Sequence, residues 1–348
     1  RAQALPYPTE GPRDIRTLAP FFGDPNSDEF KLRVGWIVQA LRGNGSYFIL
    51  IERGENGSGK TSRTRQEREL IDPNSTKDTK LPNGERDLVT SALNNFLLSF
   101  DNVSYVTLNM SDTLCRIATG AGIGGRKLYT DDEEHTFSVS RPINLNSIAR
   151  MALRPDLAQR AVVIDNPEIT PDQRRLDEEI QADWERAVPE AFAAILDGLA
   201  MALARPDIRP ERLPRMADAT RWVERAAPAF GWQPGEFLAA FERVQDVGNS
   251  NLLDNNTVAA ALLAYMDLPT RMQSVPMTAS ELKEELEQTP YTTIETRKAQ
   301  DWPKSPRQLA DEVTRLRQPL RQAGIRIDTK QAKGRTRWVI CDERGENV

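Results

Sequence analysis

Short apolar runs alternate with helical stretches in the first half of the chain, and this alternation predicts an α/β fold. Four runs are almost continuously hydrophobic: residues 47–51, 96–100, 143–145 and 161–164. Such runs are typical of parallel strands that are covered by helices on both faces. A helical pattern over residues 31–41 precedes them. We therefore expect a buried parallel sheet with helices on its faces.

The strand pattern ends after Asp165, and an Ala- and Leu-rich helical periodicity follows from about residue 171 to residue 266. Proline interrupts helices, because it lacks the backbone N–H that the helix needs. We expect four prolines to separate the helices of this region: Pro189, Pro206, Pro214 and Pro228. The region is predicted to be an all-α lid.

The composition changes again near residue 271. The segment that follows is predicted to end in one helix and two strands. Ser305 and Pro306 predict a helix start, and apolar residues then recur at steps of three and four until Gly324. Pro319 should kink that helix or end it early. Strand-like runs at 325–327 and 336–340 flank a basic turn. A helix followed by a two-stranded ribbon predicts a winged-helix-like module.

Composition narrows the classes of function. The 348 residues include only two cysteines, Cys115 and Cys341, and one histidine, His135. These counts argue against a disulfide framework, a Cys/His zinc cluster and a Ser–His triad. The longest apolar run, 191–204, is too short to cross a bilayer. We expect a cytoplasmic protein with no membrane partner. Because the chain begins at Arg1 and not at methionine, we expect an N-terminal part to be missing.

Charge is unevenly distributed along the chain. The formal net charge is −5, yet residues 297–337 contain twelve Lys and Arg against four Asp and Glu. An acidic protein with one basic module is typical of binding to an anionic partner, with nucleic acid first. An ordinary solvated basic face is the alternative. The candidate DNA-binding residues of this module are Arg315, Arg317, Arg321, Lys333 and Arg335.

The most specific motif is a glycine-rich loop that follows the first apolar run. It consists of Gly54, Glu55, Asn56, Gly57, Ser58, Gly59, Lys60 and Thr61, the GxxxxGKT pattern of a phosphate-binding loop. Glycines allow backbone N–H groups to approach phosphate oxygens. We expect Lys60 to reach the β- and γ-phosphates and the Thr61 hydroxyl to hold Mg²⁺. The loop therefore predicts ATP and Mg²⁺ as cofactors.

The strand at 96–100 ends in Asp101, which is the expected second residue at the Mg²⁺ ion. Many ATPases carry a glutamate next, and it polarises the attacking water. This chain carries Asn102 at that position. Either another carboxylate takes this role or hydrolysis is slow, and the weak candidates are Glu55, Asp87 and Asp112.

The order of these parts resembles the superfamily 3 helicase module of AAA+ ATPases, closest to the helicase halves of pox-virus and satellite-phage primase–helicases. The matching elements are Thr119-Gly120, Arg126-Lys127-Leu128-Tyr129 and the segment 141–146. The resemblance covers about 47–165 well and the tail loosely. Segments 114–120 and 154–160 also resemble ATP-binding proteins of bacteria and their mobile elements.

The resemblance implies a fold and a domain order. The fold class is α/β, an AAA+-type P-loop core with an all-α lid and a C-terminal winged-helix-like module. The predicted segments are an N-terminal flanking segment (1–45), the P-loop ATPase core (46–165), the helical lid (166–270) and the winged-helix-like basic module (271–348).

The resemblance also implies roles for single residues. Asn146, at the end of the strand at 143–145, fits the sensor that faces the γ-phosphate, and Asn144 on the same strand face is the alternative. Arg160, just before the strand at 161–164, would be the arginine finger that reaches the γ-phosphate of a neighbouring subunit. Arg154 and Arg150 are the reserves for that role, and an arginine that merely pairs with Asp156 is the alternative interpretation of Arg160. Arg215 in the lid would contact phosphate. A finger needs a partner subunit, so the resemblance implies a homo-hexameric ring.

A hairpin is predicted between the strand that ends at Asp101 and the strand that ends at Asn146. Two strand-like segments, 124–130 and 135–140, flank an acidic tip. Arg126 and Lys127 are its candidate DNA contacts, and a merely decorative hairpin is the alternative.

The sequence thus predicts an ATP hydrolase that is a DNA helicase or translocase and acts as a ring during replication of a phage or mobile element. Single-stranded DNA is the first expected partner and duplex DNA the second. Its catalytic residues would be Lys60, Asp101, Asn146 and Arg160. The alternative is a nucleotide-switched DNA-binding or defence ATPase that unwinds no strand. A P-loop kinase is disfavoured by the helical lid, by Asn146 and by the basic tail.

Overall fold

The computed structural model describes residues 2–75, 79–126, 134–147, 153–254, 256–267, 275–288, 290–299, 301–332 and 335–344. Contacts divide the chain into a first unit, Arg1–Val244, and a second unit, Gln245–Val348. The lid predicted at 166–270 is therefore shared between both units. The reason is packing, since Val258 and Leu262 lie in the same hydrophobic core as Leu309 of the second unit.

The first unit contains eight helices and six strands among the described residues. The helices are α1 (Ala19–Phe22), α2 (Asp28–Ala40), α3 (Lys60–Ile71), α4 (Glu85–Asn94), α5 (Leu108–Thr119), α6 (Pro155–Ala158), α7 (Asp177–Ala204) and α8 (Ala217–Ala226). The strands are β1 (Ile49–Arg53), β2 (Leu98–Phe100), β3 (Ile123–Arg126), β4 (Glu134–Phe137), β5 (Ile143–Ser147) and β6 (Ala161–Asp165).

Helix α9 (Glu236–Asp254) contains the boundary between the units. The elements that follow it are α10 (Thr257–Asp267), α11 (Ala279–Leu286), α12 (Ile294–Lys298), α13 (Pro306–Gln322), β7 (Ile325–Ala332) and β8 (Arg335–Asp342).

Four strands of the first unit form the predicted parallel sheet, in the order β2-β5-β1-β6. Ile51 of β1 pairs with Leu145 of β5, and Leu145 pairs with Phe100 of β2. Because the strands are parallel, their carboxyl ends share one edge of the sheet, which we call the carboxyl edge; the opposite one is the amino edge. Strand β1 begins and ends two residues later than the predicted run 47–51, so it includes the charged Glu52.

Alternate residues of this sheet pack into two separate cores, as the period of two in a strand requires. Ile51 contributes to a core that also contains Leu114 of α5. Leu50 contributes to the other core, with Trp36 of α2 and Trp184 of α7. The helices therefore cover both faces of the sheet, which explains why its strands are continuously apolar.

Helix α2 is the helix predicted over 31–41, and it begins three residues earlier. The Ser27 hydroxyl accepts a hydrogen bond from the backbone N–H of Phe30 at 3.1 Å, which is the usual way in which serine starts a helix.

Helix α7 runs through Pro189, so the prediction that this proline separates two helices is wrong. Trp184 and Phe192 of α7 are buried in the core of the first unit, and burial of such side chains outweighs the one hydrogen bond that proline omits. Among the described residues, α7 is the single helix long and apolar enough to cross a membrane. Core helices meet the same criterion.

The predicted hairpin is present as β3 and β4. The two strands are antiparallel, with Ile123 opposite Phe137 and Arg126 opposite Glu134. Lys127 and the acidic tip lie outside the described residues.

The second unit contains the predicted helix and ribbon. Helix α13 starts at Pro306 and buries Leu309 and Leu320, and β7 pairs antiparallel with β8 over eight residues each. Helix α13 continues past Pro319 to Gln322, so the early end predicted there is wrong. Pro319 omits one intrahelical hydrogen bond, and burial of Leu316, Pro319 and Leu320 outweighs that loss. Lys333, in the turn between the strands, lies outside the described residues.

We predict that Gly35→Ala destabilises the protein, although alanine favours helices. A Cβ at position 35 in α2 would lie 2.4 Å from the Phe237 ring. Overpacking of this kind costs about 1–3 kcal/mol, measured as the free energy of unfolding in urea. The control is Gly248→Ala in α9, where a Cβ meets no atom within 4 Å; it should gain up to ~1 kcal/mol from helix propensity. Equal effects in the two variants would contradict the prediction.

Candidate functional site

The glycine-rich loop connects β1 to α3 at the carboxyl edge of the sheet. Gly54, Gly57 and Gly59 have φ angles of 154°, 84° and 78°. Residues other than glycine rarely adopt such positive angles. A Cβ on Gly54 would lie 2.6 Å from the carbonyl oxygen of Asn166 and 2.6 Å from Ser58 Oγ. Only glycine therefore fits at position 54, where the backbone leaves β1 and enters the loop.

The amino end of α3 is suited to an anion. Gly59 stands at the N-cap and supplies no side-chain hydrogen bond, so the first N–H groups of the helix have no side-chain acceptor there. These groups and the positive end of the helix dipole attract phosphate. Glu55 and Asn56 of the loop are exposed, and Thr61 is half-buried at the second position of the helix.

Lys60 folds back over the loop. Its Nζ donates to the carbonyl oxygens of Gly54 at 2.7 Å and Glu55 at 2.8 Å, and to Ser58 Oγ at 3.1 Å. Burial lowers the pKa of Lys60, and the nearby carboxylates of Glu52, Asp101 and Glu55 act in the opposite direction. Its present partners are neutral oxygens, so a phosphate group offers a stronger one.

Three neighbouring strand ends carry polar side chains at one level. Glu52 of β1 pairs in register with Asn146 of β5. Leu145 pairs with Phe100, so Asn146 and Asp101 come next at the same level. Neighbouring strands lie about 5 Å apart. The structure therefore places Asp101 and Asn146 at one level of the carboxyl edge, and the Asp101 carboxylate is close enough to Lys60 to oppose the lowering of its pKa.

Asp101 sits in a turn with a defined backbone. Its N–H donates to the carbonyl oxygen of Thr79 at 2.9 Å. Its Oδ1 accepts from the N–H of Asn102 at 2.9 Å. Asn102 has a φ of 55°, a left-handed conformation that asparagine tolerates better than most residues. This turn places an exposed amide, and not a carboxylate, after Asp101.

The suggested replacements for that carboxylate lie in different places. Glu55 is exposed on the loop itself. Asp87 and Asp112 are exposed on α4 and α5, the helices that cover the opposite face of the sheet from Glu52.

The residues present fit a Mg²⁺ ion bound together with nucleotide phosphates. Within the described segments, no group of three or more Asp, Glu, His or Cys side chains could hold a metal by itself. Mg²⁺ needs only one or two protein oxygens when phosphates and water complete its shell. Thr61 and Asp101 are oxygen donors of that kind.

A buried polar network, which sequence reasoning missed, lies beneath the loop. Arg33 of α2 forms ion pairs with Glu52 of β1 and Glu67 of α3, and all three side chains are at most 1% exposed. Asn166 accepts from Arg33 at 3.2 Å and donates to Glu52 at 3.0 Å. Asn144 donates to Glu67 Oε2 at 2.7 Å. The available signal was a charged residue inside an apolar strand or helix pattern, since such residues are buried only with partners.

The network contains one guanidinium group and two carboxyl groups. Burial raises the pKa of Glu67 well above its ordinary value, the neighbouring Glu52 adds to this, and Arg33 opposes it. Burial alone would lower the pKa of Arg33, but the two carboxyl groups outweigh burial and raise it. We conclude that the folded protein favours a proton on Glu67 more than the unfolded chain does, because burial and the neighbouring Glu52 both disfavour its charge.

This network also bears on the choice between Asn144 and Asn146. The Asn144 amide is committed to Glu67 inside the protein. Asn146 lies one pleat further along β5, level with Glu52 at the carboxyl edge. Of the two asparagines, Asn146 is therefore the one that lies at the edge of the glycine-rich loop.

Arg160 and Arg215 lie beside each other and away from the loop. Arg160 precedes β6, and its carbonyl oxygen accepts from the N–H of Ile49, the first residue of β1. Both arginines form ion pairs with Asp156, at 2.5 Å and 2.7 Å. They therefore belong to the amino edge, whereas the glycine-rich loop lies at the carboxyl edge.

Most basic residues of the second unit already have partners. Arg315 pairs with Glu312 at 3.5 Å, and Arg317 Nε donates to the carbonyl oxygen of Ile327 at 2.9 Å. Arg321 is exposed and lines an open cleft of about 670 Å³ between α13 and β7, together with Arg317, Gln318, Gln322, Arg326, Ile327 and Asp328.

Comparison with protein families identifies the chain. Residues 19–242 match the model of the actinomycete integrative conjugative element replication protein, and residues 258–345 match the RepA C-terminal domain of the same elements. The chain belongs to this replication-protein family. The prediction of a mobile-element replication protein is thus confirmed. No curated protein matches the chain.

Two solved structures are similar in fold at low identity. The apo C-terminal region of NrS-1 is 14% identical with a TM-score of 0.42, and the match covers 97% of this chain and 77% of that one. The JCV helicase is 11% identical with a TM-score of 0.31, and the match covers 56% and 59% of the two chains. Similarity at this level assigns no activity.

We predict that Glu67→Gln flattens the pH dependence of stability. The raised pKa of Glu67 means that the folded state binds its proton more tightly than the unfolded state. This contribution is fully present below the ordinary glutamate pKa and is lost as the pH rises through the raised one. Glutamine cannot lose that proton, so the variant should gain on the wild type as the pH rises.

The measurement is urea unfolding between about pH 5 and about pH 9. As the comparison variant, Glu52→Gln removes one of the two carboxyl partners of the buried Arg33 and should cost about 3–5 kcal/mol near neutral pH. Identical pH profiles for the wild type and Glu67→Gln would refute the raised pKa of Glu67.

Proposed function

We propose that this replication protein is an ATP-dependent DNA helicase or translocase module that acts as a homo-hexameric ring in the cytoplasm. The observation that carries the proposal is the position of Lys60, folded over a glycine loop beside the two strand ends that bear Asp101 and Asn146. Membership of a replication-protein family supports DNA as the partner.

Each residue of the site then has a defined task. The N–H groups of the loop and of the first turn of α3 hold phosphates, and Lys60 binds the β- and γ-phosphate oxygens. Thr61 and Asp101 hold Mg²⁺, which supplies charge neutralisation on the phosphates when bound. Asn146 faces the γ-phosphate and helps to orient it. Arg160, at the other edge of the sheet, serves a neighbouring subunit.

DNA contacts are proposed in two places. The first is the hairpin formed by β3 and β4. Arg126 is the last residue of β3, and Lys127 follows it in sequence. The second unit offers Arg321 and Lys330, both exposed. The sequence also predicts contacts by Arg315, Arg317, Lys333 and Arg335.

A second function, a nucleotide-switched DNA-binding ATPase without unwinding activity, is favoured by one observation. Asn102 offers an exposed amide where a motor needs a carboxylate to polarise water. Glu52 is the buried carboxylate at that level, and Arg33 and Asn166 already occupy it. Slow hydrolysis would suit a switch.

One experiment separates the two functions. The rate of ATP hydrolysis is measured with and without single-stranded DNA, alongside the mass of the nucleotide-bound assembly. A motor should assemble into a ring and should be strongly stimulated by single-stranded DNA. A ring or smaller assembly with slow hydrolysis that DNA does not change would support the switch and contradict the motor.

We predict that Lys60→Ala abolishes ATP hydrolysis and leaves the fold intact. The change removes the main cation at the β- and γ-phosphates and touches no core residue. Hydrolysis is measured by phosphate release, and folding by circular dichroism. Arg65→Ala, an exposed position on the same helix, is the matched control and should keep the wild-type rate. Unchanged hydrolysis in Lys60→Ala would remove the basis of the proposal.

We predict that the double variant Arg321→Ala/Lys330→Ala weakens DNA binding and reduces its salt dependence. Each phosphate contact that is lost should lower the log–log salt slope by roughly 0.7 on single strands and roughly 0.9 on duplex. Affinity is measured by fluorescence anisotropy over a salt series. Arg326→Ala is the control, because its charge is already balanced by Asp328 and Glu343. An unchanged slope in the double variant would show that this surface does not contact DNA.

A further inference from the structure

One carboxylate, Asp156, holds two arginines from different parts of the first unit. Asp156 Oδ1 accepts from Arg160 Nη1 at 2.5 Å and from Arg215 Nη2 at 2.7 Å. The two guanidinium nitrogens are therefore about 5 Å apart at most. Arg160 precedes β6, whereas Arg215 lies between α7 and α8, so the pairing joins the sheet to the helical part of the unit.

Further contacts fix this arrangement. Arg215 Nη1 donates to Gln159 Oε1 at 2.6 Å, and Arg160 Nη1 also donates to the carbonyl oxygen of Asp156 at 3.0 Å. The Cys115 thiol hydrogen-bonds to Asp156, and burial raises the pKa of this thiol to about 12, so that it remains a donor. Burial would raise the pKa of Asp156, but Arg160, Cys115 and Arg215 together lower it.

The charges within the cluster are unequal. Two guanidinium groups share the single negative charge of Asp156, and like charges at this separation repel each other unless an anion lies between them. Asp156 is 40% exposed and Arg215 is 44% exposed, so an incoming anion can reach them. A phosphate group carries more charge than one carboxylate and has several oxygens for arginine donors.

The chain's own nucleotide site cannot supply that phosphate. Arg160 lies beside Ile49, the first residue of β1, whereas Gly54 follows the last residue of that strand. A strand rises about 3.3 Å per residue, so the two edges lie about 16 Å apart. An arginine side chain does not span this distance. The phosphate must therefore come from another molecule.

We propose that Arg160 and Arg215 form one two-arginine receptor for the phosphate of a nucleotide bound by a second copy of this chain, and that Asp156 is the positioning residue that aligns them. This inference rests on the proposed ATP hydrolysis. It reassigns Arg215, which the sequence predicts as a contact to the nucleotide of its own chain, to the neighbouring chain.

The first test is a mixing experiment. Lys60→Ala subunits keep both arginines but have an inactive loop, whereas Arg215→Ala subunits keep the loop. If Arg215 acts on the neighbouring chain, mixed assemblies should recover hydrolysis that neither variant shows alone. Lys60→Ala mixed with Arg160→Ala is the parallel reference. Recovery in the reference but not with Arg215→Ala would overturn the inference and leave the proposed function standing.

The second test addresses Asp156 itself. Asp156→Asn should lower kcat at least about 10-fold with the KM for ATP unchanged, because it misplaces groups that act on the reacting phosphate and leaves the nucleotide's own loop intact. Asp156→Glu should restore part of the rate. Asp28→Asn, which breaks the exposed pair of Asp28 with Arg243, controls for the loss of a surface ion pair and should keep the wild-type rate.

Binding of a fluorescent ATP analogue and thermal melting separate a positioning role from misfolding. A folded Asp156→Asn variant with unchanged kcat would overturn the role of Asp156. Loss of nucleotide binding in Arg215→Ala would show that Arg215 serves its own chain and would overturn the inference as well. A wild-type chain that hydrolyses no ATP would refute the proposed function, and this inference with it.

Discussion

The buried guanidinium of Arg33 is the constraint on which the nucleotide side of the first unit depends. A single unpaired charge in a protein core costs several kcal/mol, so the fold must bring carboxyl groups to it. Glu52 comes from the strand before the glycine-rich loop and Glu67 from the helix after it. Arg33 therefore ties together the two elements whose relative position decides the shape of the loop. Two carboxyl groups share this one cation, and burial together with Glu52 accordingly raises the pKa of Glu67.

The parallel sheet imposes a second constraint, which is the separation of its edges. The loop, Asp101 and Asn146 lie at the carboxyl edge, whereas Arg160 lies at the amino edge. The two edges lie about 16 Å apart, which an arginine side chain does not span. Within one chain, a phosphate at the carboxyl edge therefore meets only groups from that edge, and the amino-edge arginines can act only on another molecule. Under the proposed function, assembly and hydrolysis are therefore coupled by geometry.

The parts that could be predicted from the sequence are those determined by neighbours along the chain. The four strands follow from their apolar runs, and the loop follows from its glycines. The continuation of α7 through Pro189 could not be predicted, because it depends on core residues distant in sequence. The same holds for the pairing of Arg33 with Glu67 and of Arg215 with Asp156. Helical periodicity at 171–266 also does not say which core each helix joins.

The arginines of the first unit differ in how exposed their partner carboxylates are. The carboxylates that hold Arg33 are fully buried, and nothing can replace them without unfolding the unit. Asp156 is 40% exposed, and ion pairs of that kind contribute only about 0–1 kcal/mol. Solvent, and with it an anion, therefore reaches this cluster but not Arg33. Under the proposal, the ion pairs with Asp156 align Arg160 and Arg215 without burying them as Arg33 is buried.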